Sequence, residues 1–115
     1  MQSDVVIATV AVVAPSVKRR DIERALRSVV GPTEVASGCV GCRLYHDVSR
    51  HDRFLLVTEW EGRGPLDAYL RSAIFRTVLA VMEEAAEPPK FEVRTVSEPL
   101  GIEVVEAAWK GERTP

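Results

Sequence analysis

The chain has 115 residues, 46% hydrophobic and 28% charged, which is the length of one domain and a composition that excludes disorder. A net charge of -2 excludes the basic excess that a nucleic-acid surface needs. No apolar run approaches the ~20 residues of a membrane helix, so no membrane partner is expected.

Val5 to Ala14 is almost entirely apolar and rich in β-branched residues, and Pro15 ends it; this predicts a first strand. No Lys or Arg precedes the run, and Asp4 stands where a signal peptide would carry a positive charge. The run is therefore read as a buried strand, and the chain is expected in the cytoplasm. Both faces of this strand are apolar: Val5, Ile7, Ala11 and Val13 on one, Val6, Ala8, Val10 and Val12 on the other, with Thr9 as the polar interruption.

Ser16 is placed to cap the next element. Ile22, Ala25, Leu26, Val29 and Val30 then follow the spacing of an amphipathic helix, with Arg19, Arg20, Glu23, Arg24 and Arg27 opposite. Gly31-Pro32 is predicted to stop it, with one short further turn over Thr33 to Ser37 before Gly38 closes the segment. Cys39 to Val48 reads as a second strand, Ser49 to Asp52 as a polar turn, and Arg53 to Glu61 as a third strand. Phe54, Leu56, Thr58 and Trp60 share one face of that strand; Leu55 and Val57 share the other, which turns acidic at Glu59 and Glu61. Arg43 and Arg53 are expected to pair with these acids across the strands.

Gly62 to Gly64 breaks the chain, and Pro65 suits a first helical turn. Leu66, Tyr69, Leu70 and Ala73 form a helical stripe that continues as Ile74, Phe75, Val78, Leu79 and Met82, with a kink expected near Ser72. Pro88-Pro89 ends the helix, and Lys90 to Ser97 reads as a fourth strand. Ile102, Val105 and Trp109 fit one helical face in the tail, while Lys110 to Pro115 is expected to fray.

The order is β-α-β-β-α-β plus a tail. It predicts a ferredoxin-like α+β domain over residues 1–98, with a four-stranded antiparallel sheet, and a C-terminal segment over 99–115 that either packs on the dimer or caps its own pocket. Two helices cover one face of such a sheet. The other face would leave an apolar patch that soluble monomers rarely show, so a homodimer with the sheets packed face to face is expected.

Cys39 and Cys42 form a C-x-x-C pair, the spacing of a redox pair or half a zinc site. Positions i and i+3 of a strand point to opposite faces, so the sulfurs should diverge and serve the core. Only His46 and His51 remain as further ligands, so no metal is expected. His46 is read as a sheet histidine and His51 as an exposed turn residue. No phosphate loop or nucleophile elbow is present in the sequence.

Gly38-Cys39-Val40-Gly41-Cys42-Arg43-Leu44-Tyr45, then Phe54-Leu55-Leu56-Val57-Thr58-Glu59-Trp60, then Leu66-Asp67-Ala68-Tyr69-Leu70-Arg71-Ser72-Ala73-Ile74-Phe75 are similar in order and spacing to the antibiotic biosynthesis monooxygenase family. The resemblance covers roughly residues 4–98 and implies a dimeric α+β barrel. It also implies a monooxygenase that acts on an aromatic or quinol-type small molecule without any cofactor, the substrate supplying its own electrons to oxygen. Such chemistry asks the protein for an apolar cavity with a few polar groups. The matching positions are Trp60, whose indole N–H can donate, and Tyr69, whose hydroxyl can donate or accept; these are the candidate catalytic residues. Thr9, Phe75, Val78 and Met82 are the candidate pocket residues. The chain has no asparagine, which active relatives use in the pocket, and Tyr69 replaces a common histidine, so heme chemistry is not implied. The alternative is a non-catalytic ligand-binding or structural dimer of the same fold.

Overall fold

The computed structural model describes residues 4–113. In chain order these form β1 (Val5–Val13), a 3-10 turn (Ser16–Lys18), α1 (Arg19–Glu34), β2 (Cys39–His46), β3 (Arg53–Trp60), α2 (Arg63–Leu70), α3 (Ala73–Glu83), β4 (Lys90–Val96) and α4 (Glu103–Arg113). The sheet runs β2-β3-β1-β4 with every neighbouring pair antiparallel, so each helical connection steps over one strand. This is the expected ferredoxin-like α+β arrangement.

The strand periodicity of two decides where the core sits. Val6, Ala8, Val10 and Val12 of β1 are at most 4% exposed. They stand opposite Trp60, Thr58, Leu56 and Phe54 of β3, which are equally buried. Ile22, Leu26 and Val29 of α1, Leu66 and Tyr69 of α2, and Phe75, Val78 and Val81 of α3 close this face. Each large apolar side chain buried here contributes about 1.5–3 kcal/mol. The alternate residues of β1, Val5, Ile7, Thr9 and Ala11, remain half-buried on the other face.

Five local expectations are corrected. The first helix runs through Gly31-Pro32 to Glu34. A proline's ring-fixed φ suits a helix, and the extra turn places Thr33 on the buried stripe with Ile22, Leu26 and Val29. Ser16 lies inside the 3-10 turn and does not cap α1. Lys110 to Arg113, expected to fray, belong to α4, and the last two residues of that expected frayed end lie outside the described residues. Arg43 sits opposite Val57, and Glu59 opposite Gly41, so neither Arg43 nor Arg53 forms an ion pair with Glu59 or Glu61 among the described residues.

The fifth concerns the cysteines. The register of β2 shifts between Cys39 and Gly41, a bulge at Val40, so Cys39 faces Trp60 and Cys42 faces Thr58. The extra residue restores the parity that i and i+3 would lack, and both thiols lie on the helix-covered side. They are free thiols.

The kink expected near Ser72 is a full break between two helices. Ser72 caps α3 by accepting from the Phe75 N–H at 3.3 Å, and its hydroxyl donates to the Tyr69 carbonyl at 2.6 Å. The tail helix α4 carries Val104, Val105 and Trp109 about half exposed.

Candidate functional site

Trp60 ends β3 on the covered face and is fully buried. Its indole N–H donates to Thr58 Oγ1 at 2.8 Å, and that hydroxyl donates to the Ala8 carbonyl at 3.3 Å. The donor that a ligand would want is therefore committed to the sheet. The indole packs against Tyr69 with ring centroids 4.7 Å apart, and Tyr69 meets Phe75 edge-on at 5.3 Å.

Tyr69 is held by the loop before β2 as well as by its own helix. Gly38 adopts φ 79°, and a Cβ there would lie 2.4 Å from Pro65 in α2. Only glycine permits this approach. The Gly38 carbonyl accepts from the Glu61 N–H at 2.9 Å, which pins the start of β2 to the end of β3.

The phenol of Tyr69 is 4% exposed as a residue, and its oxygen has no hydrogen-bond partner. The same is true of the Thr33 hydroxyl in α1, which is fully buried. Burial pushes the Tyr69 phenol up to about 12; the nearby Thr33 hydroxyl opposes this, and the Cys42 and Cys39 thiols add to it. Thr33 thus lies close to the phenol without a well-formed hydrogen bond joining the two. Burial likewise pushes the Cys42 thiol up to about 11, with Cys39 and Glu34 adding to the shift and Thr33 opposing it. Burial also raises Cys39, against a backbone contact from Gly41. Both thiols stay protonated at neutral pH and are poor nucleophiles.

Two concavities flank this seam. A small apolar pocket of about 150 Å³ has Trp60 and Tyr69 in its wall, with Ala36, Pro65, Ala68 and Ile74. A larger, open groove of about 600 Å³ runs between α1 and β2, lined by Val30, Glu34, Cys42, Leu44, Tyr45 and Phe54 among others.

The pair Trp60 and Tyr69 is therefore brought together, and Phe75 packs beside it. Val78 is fully buried and Met82 packs against the core; Phe75, Val78 and Met82 line neither concavity. Thr9 lies on the opposite face of the sheet, between Val57 and Glu92. His46 stacks on Phe54 and bonds the His51 carbonyl at 2.6 Å, the role of a sheet histidine. Thr33 was missed in sequence; the stripe Ile22, Leu26, Val29, Thr33 signals it once the helix is allowed past Pro32. Among the described residues no group of three His, Cys, Asp or Glu could hold a metal.

Residues 5–81 match the family model described as antibiotic biosynthesis monooxygenase. No curated protein matches the chain. Among solved structures it is similar to a candidate antibiotic biosynthesis monooxygenase from Nitrosomonas europaea, at 19% identity and a TM-score of 0.76, covering 88% of this chain and 98% of that one. It is also similar to PA3566 from Pseudomonas aeruginosa, at 19% identity and a TM-score of 0.75, covering 88% and 99%. Rv0793 from Mycobacterium tuberculosis gives 20% identity and a TM-score of 0.73, covering 84% and 96%. At these identities the likeness shows the shared fold.

Proposed function

Since the chain belongs to the antibiotic biosynthesis monooxygenase family, we propose that it is a monooxygenase of a small aromatic or quinol-type molecule, working without a cofactor and as a homodimer. One observation carries the reading: the Tyr69 phenol is buried, protonated and unpartnered beside a small apolar pocket walled by Trp60. A phenol with its pKa raised to about 12 is a donor and not a base at neutral pH. Its role is to hold a substrate oxygen as negative charge develops there, in a site that excludes water. The substrate supplies the electrons; one oxygen atom enters it and the other leaves as water. Trp60 shapes the pocket, since its N–H is spent on Thr58. Thr9 belongs to the sheet's open face, where Ile7, Val57 and Leu55 surround it and the partner's sheet packs. The exposed apolar side of α4 packs on that dimer.

The test is oxygen uptake by the purified protein with a panel of quinols and hydroxyquinones. The expected result is uptake that falls about 100-fold in Tyr69→Phe. Uptake equal in the two proteins contradicts the role of Tyr69. Absence of uptake with every substrate favours the second reading, a non-catalytic ligand-binding dimer, which the committed Trp60 N–H and the missing asparagine support.

A further inference from the structure

An isolated helix of 11 residues is marginal in water, so one that persists in a fold is held by packing on its apolar side. α4 has such a side: Ile102, Val104, Val105, Ala108 and Trp109 lie together on it, and Glu103, Glu106 and Lys110 hold the other. Its first turn is fixed by the Gly101 N–H, which donates to the Glu103 carboxylate at 2.8 Å. Yet Ile102, Val104, Val105 and Trp109 are about half exposed or more, and among the described residues no strand or helix packs along α4. The chain leaves β4 and runs clear of the body. Its radius of gyration is 17.1 Å, where a compact chain of this length would have about 13 Å. α4 also lies outside residues 5–81, which carry the family match, so the arm is extra to the matched domain.

The body carries a matching strip. Phe91 and Val93 of β4 stand opposite Val10 and Ala8, on the helix side of the sheet. The helices stop short of this edge strand, and both side chains are more than a third exposed. Phe75 of α3 meets Phe91 edge-on at 6.2 Å, and Leu79, one turn further along α3, is also more than a third exposed. We propose that α4 is an exchanged arm: in the homodimer it lies on the Phe91, Val93 and Leu79 strip of the second copy and completes that copy's helical layer. This rests on the homodimer proposed above and adds a second contact to it. The six residues between β4 and α4 span at most about 20 Å. Face-to-face sheets lie about 10 Å apart, so that length carries the arm round the edge of the partner's sheet to its far side. The exchange sets the two β4 strands at the same edge of the dimer. Acids outnumber bases on α4, which disfavours an anionic membrane as the occupant of its apolar side. Trp60, Tyr69, Phe75 and Phe91 form one row of ring contacts, so the arm buttresses Tyr69 in the copy it covers.

The experiment incorporates 5-fluorotryptophan into the full chain, giving one fluorine signal each from Trp60 and Trp109; Trp109→Phe assigns them. Broadening of each signal by a soluble paramagnetic agent is read by NMR across a dilution series, with the mass followed by sedimentation. Trp109 should be broadened about fivefold less at twice the chain mass than at the single-chain mass, while Trp60 stays protected in both. Val93→Lys should expose Trp109 and weaken the dimer about tenfold. Leu79→Lys should do the same from α3. Excess unlabelled wild-type chain added to labelled Val93→Lys should restore the protection, because the variant's arm then meets an intact strip. Failure to restore it places the contact within one chain and overturns the exchange, as does protection of Trp109 at the single-chain mass. Protection unchanged in both lysine variants overturns the assignment of the strip. A doubled mass with Trp109 exposed overturns the inference and leaves the homodimer standing. A single-chain mass at every concentration overturns both.

Discussion

Adjacent residues of β3 live in different worlds. Leu56 is 2% exposed beneath the helices, and Leu55, its neighbour in sequence, is 36% exposed on the other side of the sheet. The same contrast runs along β1, where Val6, Ala8, Val10 and Val12 are sealed and Val5, Ile7, Thr9 and Ala11 are half open. Yet the two faces are almost equally apolar at the centre of the sheet. The face that the chain's own helices leave uncovered is the one proposed to meet a second copy, and the covered face holds the Trp60 and Tyr69 pair proposed to meet a ligand. The lesson is that hydrophobicity marks both faces alike, while the cover of the helices tells them apart.

The largest effect should come from emptying the covered face. Leu56→Ala leaves a cavity in a packed layer and should lower stability by about 2–5 kcal/mol in urea denaturation. Leu55→Ala should alter the stability of the dissociated chain far less, within about 1 kcal/mol; an equal loss would mean that the two faces are not different. Next comes the polar thread of the covered face. Thr58→Val strands the Trp60 indole N–H, which then has no acceptor, and should cost about 1–3 kcal/mol by the same measurement. A neutral result would show that the indole finds another acceptor. The cap on α3 is smaller: Ser72→Ala removes the bond to the Phe75 N–H and should cost about 1 kcal/mol, with the break between α2 and α3 loosening Tyr69.

The smallest effect is in pH. Burial holds Cys42 at about 11 and Tyr69 at about 12, above their ordinary values of 9.0 and 10.0. In each case the folded chain keeps its proton to higher pH than the unfolded chain does. Stability is therefore full below about pH 9 and declines from there through pH 12. Cys42→Ala should flatten the early part of that decline and Tyr69→Phe the later part, both read as melting temperature against pH. A slope that neither change alters would place the titration elsewhere.

The strands were legible because their alternation is strict, and the covered face of β3 could be named from Phe54, Leu56, Thr58 and Trp60 alone. What alternation cannot reveal is which face of one strand meets which face of the next. Thr9 drew attention as the polar interruption of an apolar strand; the register, with Val6 opposite Trp60, sets it on the face away from Trp60. The cysteines were misjudged because parity along a strand is lost at a bulge, and nothing but Gly41 beside Val40 hints at one. Thr33 was hidden by the habit of ending helices at Gly-Pro. Tyr69 and Trp60 were legible as a pair, but that Trp60 spends its N–H on a neighbouring hydroxyl is a fact of tertiary geometry.

The proposal that the open face of the sheet meets a second copy is tested most directly by the mass of the chain in solution. Sedimentation equilibrium of the wild-type protein should give twice the 12.7 kDa of one chain. Ile7→Glu, which sets a carboxylate opposite Glu59 on the open face, should return it to the single-chain mass with its secondary structure intact. A wild-type mass of 12.7 kDa would contradict the account.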